Sequence, residues 1–377
     1  MLRAASRFIT RLAAIAIAGG LAVVTTAPAA SAEARGPWPG RAPTATAVYS
    51  QTNATTGNAV LVYRRQADGQ LSPAGSLPTG GNGSGAGLGS GHSVVVSDSG
   101  RVVLVVNAGS NSVSALAWRG SRLLQAGAPV SAAGADPTSV TIHGHLVYVM
   151  NAGSGTISGF WLTRRLGLIP IAGSTQALAA AGTATDSQIQ FSRDGRVLIV
   201  DERAPVNVIQ TFTIGPDGAA QPAATVPADA GGPFGFDVDP AGHVLFSNAA
   251  LGTSSGASSY DVSDIGALTP NGPPVSSGQA AACWLAAVAS YAYTDNAGSG
   301  SIGRFAVSSD GALSLTGTTV ISPGAHPLDM AAAGGEYLYV LANGLSEIIG
   351  YRVTAAGQLA QVTEVPVPAG SIGLGAS

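Results

Sequence analysis

The sequence repeats one motif at intervals close to 47 residues, and this repetition limits the possible fold more than any other feature. The motif is the end of an apolar segment, then Asn or Asp, then small residues, as in VVNAGS and TDNAGS. The marker residues are Asn107, Asn151, Asp201, Asn248, Asn296 and Asn343, with a weaker first copy near Asn53. The intervals from Asn107 onward are 44, 50, 47, 48 and 47 residues. The chain therefore holds seven copies of one structural unit.

Each copy consists of short segments that alternate with turn sequences. Asp-Gly and Asp-Ser-Gly sequences favour the positive φ angles of hairpin turns, and they recur at Asp68, Asp98, Asp194, Asp217 and Asp310. No stretch beyond the first 32 residues shows the 3.6-residue periodicity of an amphipathic helix. Four short strands in each of seven units predict an all-β, seven-bladed propeller with four antiparallel strands per blade.

The two ends of the chain predict how the ring of blades closes. The first unit begins at TAVYSQT, already at the position of a second strand, so it lacks an innermost strand. The last residues, 370–377 (GSIGLGAS), are similar to the innermost strands of the other units. We expect this C-terminal strand to pair into blade 1, which removes the exposed sheet edges of an open array.

The predicted innermost strands alternate between apolar and polar residues. Successive side chains of a strand point to opposite faces, so one set lies between blades and the other faces the central channel. The apolar set, expected between blades, is Val94, Val96, Val140, Ile142, Ile189, Phe191, Phe236, Val238, Leu285, Met330, Ile372 and Leu374. The small or polar set, expected to line the channel, is Ser93, Ser139, Thr141, Gln188, Gln190, Asp237, Asp329 and Ser371, with Trp284 as a bulky exception.

The first 32 residues have the pattern of a signal peptide. Arg3, Arg7 and Arg11 precede the apolar stretch LAAIAIAGGLAVV, and Ala30-Ser31-Ala32 is a small-residue cleavage sequence. We therefore divide the chain into a signal peptide (1–32) cleaved after Ala32, a linker (33–43) and the propeller (44–377). No later apolar run is long enough to span a bilayer, so we expect a secreted or periplasmic monomer.

Composition excludes several classes of function. The chain has seventeen Arg and no Lys, which removes a P-loop lysine, a Schiff-base lysine and a pyridoxal-phosphate site. Its net charge of −3 argues against a nucleic-acid partner, because phosphate binding needs a basic face. The single Cys283 permits neither an internal disulfide nor a cysteine-cluster metal site.

Specific motifs resemble the lactonase-like family of seven-bladed propellers, in particular its exported actinobacterial branch. The resemblance covers about 44–377 and rests on TGGNGSGAGLGS, VVNAGSNSVS, VDERAPVNVIQTF, PFGFDVDPAG, SSYDV, AACW and AYTDNAGSGSI. It implies a seven-bladed propeller related to 6-phosphogluconolactonases and 3-carboxymuconate-cyclising enzymes. Family members that catalyse a reaction use His, Arg and a carboxylate from the middle blades, at one mouth of the channel.

The chain departs from the family where those catalytic residues are expected. The family pattern is a His-x-His start, a Pro-Arg-His start and an Asn-Glu-Leu strand end. The corresponding positions read Thr185-Asp186-Ser187-Gln188, Pro233-Phe234-Gly235 and Ser247-Asn248-Ala249, and no His lies between His145 and His243. Lactone opening needs a base to activate water and a cation to stabilise the developing oxyanion, so both would come from other residues.

Our candidates for ligand binding are residues predicted at the channel mouth: Ser93, Ser139, Gln188, Asp201, Trp284, Asp329, Asn107, Asn151 and Asn296. Two of them have simpler interpretations. Trp284 is either a stacking platform for a sugar ring or a bulky plug in the channel. Asp329 could belong to a channel site that holds water or a cation such as calcium. The simpler interpretation is an acid near solvent, hydrogen-bonded to water.

Our candidates for catalysis are Glu202, Arg203 and His326. An acid beside a base at 202–203 could activate water or bind a polar ligand, or it could be a solvated loop with a weak ion pair. His92 and His326 begin neighbouring innermost strands and could lie near the same mouth. Cys283 would need a cationic partner to be nucleophilic, so a buried structural thiol is the simpler interpretation.

Two further motifs do not indicate a cofactor. His143 and His145 could hold a metal only with additional ligands, and no carboxylate lies nearby, so we expect no metal site there. The run Gly80–Gly91 leads into a strand rather than a helix, so a loop above the mouth is favoured over a dinucleotide site.

Two functions remain open. One is a binding module whose mouth holds a small polar molecule, a lactone, a glycan or a protein loop. The other is a lactone hydrolase or cycloisomerase with a rearranged acid/base site. We favour binding, because histidine is missing where the family has it.

Overall fold

The computed structural model describes residues 46–165, 167–179, 186–228, 232–249 and 255–377. The predicted signal peptide, the linker and the first two residues of the predicted propeller lie outside these ranges. Within them the chain forms β-strands joined by turns and short 3-10 segments. None of the described helices has the length and apolar character needed to span a bilayer.

Seven antiparallel sheets form the seven predicted blades. Four blades have four strands each. Blade 1 contains β1 (Ala47–Gln51), β2 (Ala59–Arg65), β3 (Leu71–Pro78) and β31 (Ile372–Ala376). Blade 4 contains β14 (Asp186–Phe191), β15 (Val197–Glu202), β16 (Val208–Ile214) and β17 (Ala220–Pro227). Blade 6 contains β23 (Ala282–Val288), β24 (Tyr291–Asn296), β25 (Ser301–Val307) and β26 (Leu313–Val320). Blade 7 contains β27 (Pro327–Ala333), β28 (Tyr337–Ala342), β29 (Glu347–Val353) and β30 (Leu359–Pro366).

The other three blades have an outer edge made of two short strands that both pair with the third strand. Blade 2 contains β4 (Val94–Val96), β5 (Val102–Asn107), β6 (Ser112–Arg119), β7 (Arg122–Gln125) and β8 (Val130–Ser131). Blade 3 contains β9 (Pro137–His143), β10 (Leu146–Asn151), β11 (Thr156–Leu162), β12 (Leu168–Pro170) and β13 (Gln176–Ala177). Blade 5 contains β18 (Pro233–Val238), β19 (Val244–Asn248), β20 (Gly256–Val262), β21 (Leu268–Pro270) and β22 (Val275–Ser276).

The C-terminal strand closes the ring as predicted. β31 is the innermost strand of blade 1 and pairs antiparallel with β1, with Val48 opposite Ala376 and Gln51 opposite Ile372. The backbone N–H of Ser377 donates to the carbonyl of Ala47 at 3.0 Å. The two ends of the described chain are therefore joined within one sheet.

The hydrophobic core is divided among the seven contacts between neighbouring blades. Each core cluster combines side chains of two adjacent blades, and each contains an apolar residue of an innermost strand. These residues are Val94, Val140, Ile189, Phe236, Leu285, Met330 and Leu374, which confirms the predicted apolar face. Burial of this apolar surface contributes roughly 25 cal/mol per Å² to stability.

Tyrosine hydroxyls add a polar link between blades. Tyr148, Tyr293 and Tyr339 are buried, and their hydroxyls donate at 2.7–2.8 Å to the carbonyls of Gly218, Gly357 and Gly69. Each acceptor lies in the outer hairpin turn of the next blade. The φ angles of these glycines are between +70° and +85°, a region that favours glycine.

The central channel runs between two different faces of the ring. The asparagine face carries the marker residues and the starts of the innermost strands, since Asn151 at the end of β10 pairs with Pro137 at the start of β9. The hairpin face carries the turns between first and second strands, such as 97–101, 143–145, 192–196 and 239–243.

Candidate functional site

The marker asparagines are structural residues in this fold. Asn107, Asn151 and Asn296 are fully buried, and each donates from its side chain to serine hydroxyls of the next strand. Asn107 also accepts from Thr79 at 2.7 Å. These three residues, expected to bind ligand, are instead used to hold the turn between the second and third strands.

Polar residues of the innermost strands reach the neighbouring blade rather than the open channel. Ser139 accepts the backbone N–H of Ile189 at 3.2 Å. The amide of Gln188 bonds to both the N–H and the carbonyl of Phe236. Asp329 accepts the N–H groups of Met330 and Leu374 at 2.8 and 2.9 Å. These predicted ligand-binding residues are at most 2% exposed, and their polar atoms form hydrogen bonds with backbone groups of adjacent strands. Ser93 is equally buried, but its hydroxyl has no hydrogen-bond partner in the described part of the chain.

Aromatic side chains fill the channel at the asparagine face. Trp284 is 6% exposed and packs edge-to-face against Phe234, with ring centres 4.8 Å apart. The Gly-rich loop lies above them: the N–H of Gly91 donates to Ser187, and a Cβ on Gly91 would overlap Gln188. Trp284 thus has the position of a plug, the simpler of its two interpretations.

The three predicted catalytic residues have different surroundings. Glu202 is fully buried, and its Oε1 accepts the N–H of Ala179 at 3.1 Å. Arg203 lies with its guanidinium 4.5 Å from the centre of the Phe234 ring. His326 is exposed at the start of blade 7. Asp201, the preceding ligand candidate, is fully buried in β15. Asp201 and Glu202 are therefore buried and do not form a solvated loop, and Arg203 is half-buried.

Burial raises the pKa of three groups near Trp284: Asp295, Asp329 and Cys283. Burial, and secondarily the charge of Asp329, raise the pKa of Asp295 well above its ordinary value, although Asp295 accepts the N–H of Trp284. Burial raises the pKa of Asp329 to about 8, despite its two backbone hydrogen bonds. Burial and the charge of Asp295 raise the pKa of the Cys283 thiol to about 12, against the opposing effect of Arg203. The thiol therefore stays protonated and unreactive.

The open part of the channel is at the hairpin face. A cavity of about 590 Å³, the channel cavity, is lined by residues from the innermost strands of all seven blades. Its rim includes Asp98, His143 and Arg193, which lie in or beside hairpin-face turns. The accessible space is thus at the opposite end from the one expected from the sequence.

The polar side chains of the channel cavity come from adjacent blades. Thr141, Gln190 and Asp237 belong to blades 3, 4 and 5. The side-chain amide of Gln190 donates to Asp237 Oδ1 at 3.1 Å, and Asp237 Oδ2 accepts the N–H of Ala287 at 2.9 Å. These contacts fix the orientation of the polar groups before any ligand arrives.

His92 also lines the channel cavity. Its φ is +61°, an unusual value for a residue with a Cβ, and its carbonyl accepts the N–H of Val140 at 2.9 Å. Nδ1 is buried and has no hydrogen-bond partner among the described residues. Burial lowers the pKa of His92, although the charge of Asp237 acts in the opposite direction. The imidazole is therefore neutral near pH 7.

The polar alternation of the innermost strands also indicated the residues that line this cavity. Thr141, Gln190 and Asp237 continue the polar alternation into the second half of each innermost strand, whereas the candidates predicted on these strands lie near the strand starts. Arg193 had no such signal, because it occupies an ordinary Asp-Gly turn. No cluster of three His, Cys, Asp or Glu residues suited to a metal ion occurs in the described ranges.

Solved structures similar to this one share its fold at low sequence identity. The periplasmic gluconolactonase of Pseudomonas aeruginosa is 18% identical, with a TM-score of 0.67, and the match covers 87% of this chain and 98% of that one. A Bacteroides uniformis protein assigned as a 6-phosphogluconolactonase is 21% identical, with a TM-score of 0.69 and coverage of 88% and 100%. A Lactobacillus plantarum protein is 15% identical, with a TM-score of 0.70 and coverage of 87% and 98%.

Sequence comparison assigns the family. No curated protein sequence matches the chain. The sequence profile described as "Lactonase, 7-bladed beta-propeller" matches residues 41–284, which is more than half of the chain. With the seven blades and the closing strand in place, this chain belongs to the lactonase family of seven-bladed β-propellers.

Proposed function

We propose that this propeller binds a small polar molecule in the channel cavity, entered from the hairpin face. The observation that carries the proposal is the cavity itself, about 590 Å³ with polar groups already held in place. This size is within the range of sites for small molecules. The asparagine-face mouth is less suitable, because Trp284 and Phe234 pack together there.

The lining favours a ligand that has one polar edge and one apolar face. Blades 3, 4 and 5 supply Thr141, Gln190 and Asp237, whereas blades 6, 7 and 1 supply alanine and glycine residues, among them Ala286, Ala332 and Gly375. A pyranose ring or a sugar lactone has this character, with hydroxyl groups around its edge and C–H groups on its face. We therefore propose a sugar or a sugar lactone as the ligand class.

We place this activity outside the cytoplasm. The support is the Arg-containing start, the apolar stretch and the Ala30-Ser31-Ala32 cleavage sequence. Sequencing the N-terminus of the protein recovered from the periplasm or culture medium tests the assignment. A mature protein starting at Glu33 is expected, and recovery of an uncleaved cytoplasmic chain would contradict it.

Thermal shift and calorimetry test the binding proposal. The purified protein is offered glucose, galactose, N-acetylglucosamine, gluconate and a set of γ- and δ-lactones. At least one should raise the unfolding midpoint, since a ligand bound only by the folded state stabilises it. Asp237→Asn and Gln190→Leu should abolish the shift, while Asp264→Asn, which changes an exposed acid outside the cavity, should keep it. No shift with any compound, or equal shifts in all variants, would overturn the proposal.

Lactone hydrolysis in the same cavity is a second candidate, favoured by the neutral imidazole of His92, whose buried Nδ1 has no hydrogen-bond partner among the described residues. His92 would take a proton from water as the water oxygen attacks the lactone carbonyl carbon. It would return that proton to the ring oxygen as the C–O bond breaks, giving a hydroxy acid. Arg193, at the rim, is the cation available to stabilise the oxyanion.

A lactone panel followed by pH-stat titration tests this candidate. Acid release above background should be lost in His92→Gln and retained in His326→Gln. Loss in His326→Gln or Arg203→Ala with retention in His92→Gln would instead place catalysis at the asparagine face. Absence of acid release from every lactone, in a protein that still binds sugars, would leave binding as the function.

A further inference from the structure

A second depression lies beside the channel cavity on the hairpin face. This blade 4–5 groove has a volume of about 620 Å³. It is formed by residues 192–194 and Val197 of blade 4, and by residues 241–243 and 261–264 of blade 5, most of which lie in turns. Ser192 and Arg193 line both the groove and the channel cavity, so the two spaces adjoin along one turn.

Charged and polar groups around the groove are held by contacts with one another. Arg196 contacts Asp264 at 2.6 Å and Asp194 at 3.5 Å. His243 Nδ1 lies 2.7 Å from Asp261 Oδ1. The surface therefore offers many hydrogen-bonding groups whose positions are fixed by the protein.

His243 gives the groove a polar group without a partner. The residue is 9% exposed and lines the groove, and Asp261 fixes its ring through Nδ1. Nε2 has no hydrogen-bond partner in the part of the chain that the structure describes. A buried polar atom left unpaired costs free energy, so a ligand or water that bonds to it would be stabilised there.

The groove does not suit an extended peptide. It is built from turns rather than from a free strand edge, so a peptide could not add a strand to it. Its largest apolar side chains are Val197 and Val262, and Val197 is only 1% exposed. No deep hydrophobic pocket is available for a peptide side chain.

We propose that the channel cavity and the blade 4–5 groove form one extended site for an oligosaccharide. The terminal sugar occupies the cavity, and the next unit lies in the groove, with Arg193 between them. Hydroxyl groups along such a chain match the fixed donors and acceptors of His243, Asp261 and Asp264. This inference rests on the proposed function, because it assumes that a sugar enters the channel cavity.

Calorimetry with sugars of increasing length tests the extended site. The probes are glucose, galactose and N-acetylglucosamine with their 1,4-linked dimers and trimers. A dimer should bind at least tenfold more tightly than its own monomer. Asp261→Asn and Asp264→Asn should reduce dimer affinity to that of the monomer and leave the monomer unchanged. Asp237→Asn should weaken both, and Asp68→Asn, an exposed turn acid of blade 1, should affect neither.

The possible failures are distinguishable. Equal affinity for monomer and dimer, unaffected by Asp261→Asn or Asp264→Asn, would overturn the extended site and leave the cavity proposal standing. Dimer binding that depends on Asp264 but not on Asp237 would also overturn the single extended site. Absence of binding by every sugar of any length and by every lactone of the panel would overturn both proposals together.

Discussion

At the scale of single residues, the polar side chains near the starts of the innermost strands form hydrogen bonds that stabilise the fold. Asp329 accepts two backbone N–H groups and is 2% exposed. Its pKa of about 8 lies far above the value of about 3.9 in an unfolded chain. The folded protein thus holds this proton more tightly than the unfolded chain does.

Stability should consequently depend on pH through Asp329. Because the folded pKa is the higher one, the stabilising contribution is complete below about pH 4, decreases as the pH rises, and is lost above about pH 8. Between these limits wild type should lose up to about 1.4 kcal/mol per pH unit relative to Asp329→Asn. Urea unfolding of both proteins at pH 5 and pH 8 measures the difference. A constant difference between the two pH values would contradict the assignment.

The tyrosine links between blades give a matched pair of residue-level variants. The hydroxyl of Tyr293 donates to Gly357 at 2.7 Å in a buried position, while that of Tyr291 lies 3.5 Å from Ala355 at an exposed one. Tyr293→Phe should cost about 1–3 kcal/mol, because a buried carbonyl loses its donor. Tyr291→Phe should cost less than about 0.5 kcal/mol. Chemical denaturation measures the free energy of unfolding of both variants. An equal loss in the two would show that the buried hydrogen bond contributes no more to stability than the exposed one.

The alternation of apolar and polar residues correctly predicted where the apolar side chains of the innermost strands point. It did not predict which groups the polar side chains bond to. Val140 and Ile189 have only one favourable location, between blades, so period-2 alternation suffices to place them. Ser139 and Gln188 point as the alternation requires, but their partners are backbone groups of the next blade. Such partners depend on the spacing between blades, which no local pattern encodes.

At the scale of strands and blades, the closing strand was predictable and the divided outer strands were not. β31 resembles the other innermost strands in sequence, and the first unit visibly lacks one. The outer edges of blades 2, 3 and 5 contain two short strands each. Outer strands are more exposed, so their alternation of apolar and polar residues is weak. A break in such a strand is therefore hard to recognise in the sequence.

Truncation after Val367 tests the closing strand. Removing β31 exposes the edge of β1 and takes Leu374 out of the cluster between blades 7 and 1. We expect a clearly lower unfolding midpoint and greater aggregation, because the unpaired edge of β1 is free to pair with another chain. Differential scanning calorimetry and light scattering measure the two effects. An unchanged midpoint would mean that ring closure contributes little to stability.

At the scale of the whole molecule, the seven-bladed ring fixes which end of the channel is open. From the family resemblance, the sequence predicted the functional residues at the asparagine face. In this chain Trp284, Phe234 and the Gly80–Gly91 loop fill that end, and the cavity opens at the hairpin face. The sequence could not show this reversal, because it depends on how side chains from seven separate strands meet at the axis.

The same division of the core predicts how the protein unfolds. Among the described residues no blade has a hydrophobic cluster of its own, because each of the seven clusters joins two neighbouring blades and Leu374 completes the cluster between blades 7 and 1. Loss of one blade would expose the apolar surface of two clusters, so partly unfolded rings should be unstable. Equilibrium unfolding should therefore be a single cooperative transition. Far-UV circular dichroism reports all blades, while Trp118, Trp161 and Trp284 report blades 2, 3 and 6 by fluorescence. Coincident curves are expected, and two separated transitions would mean that part of the ring holds its structure without the rest.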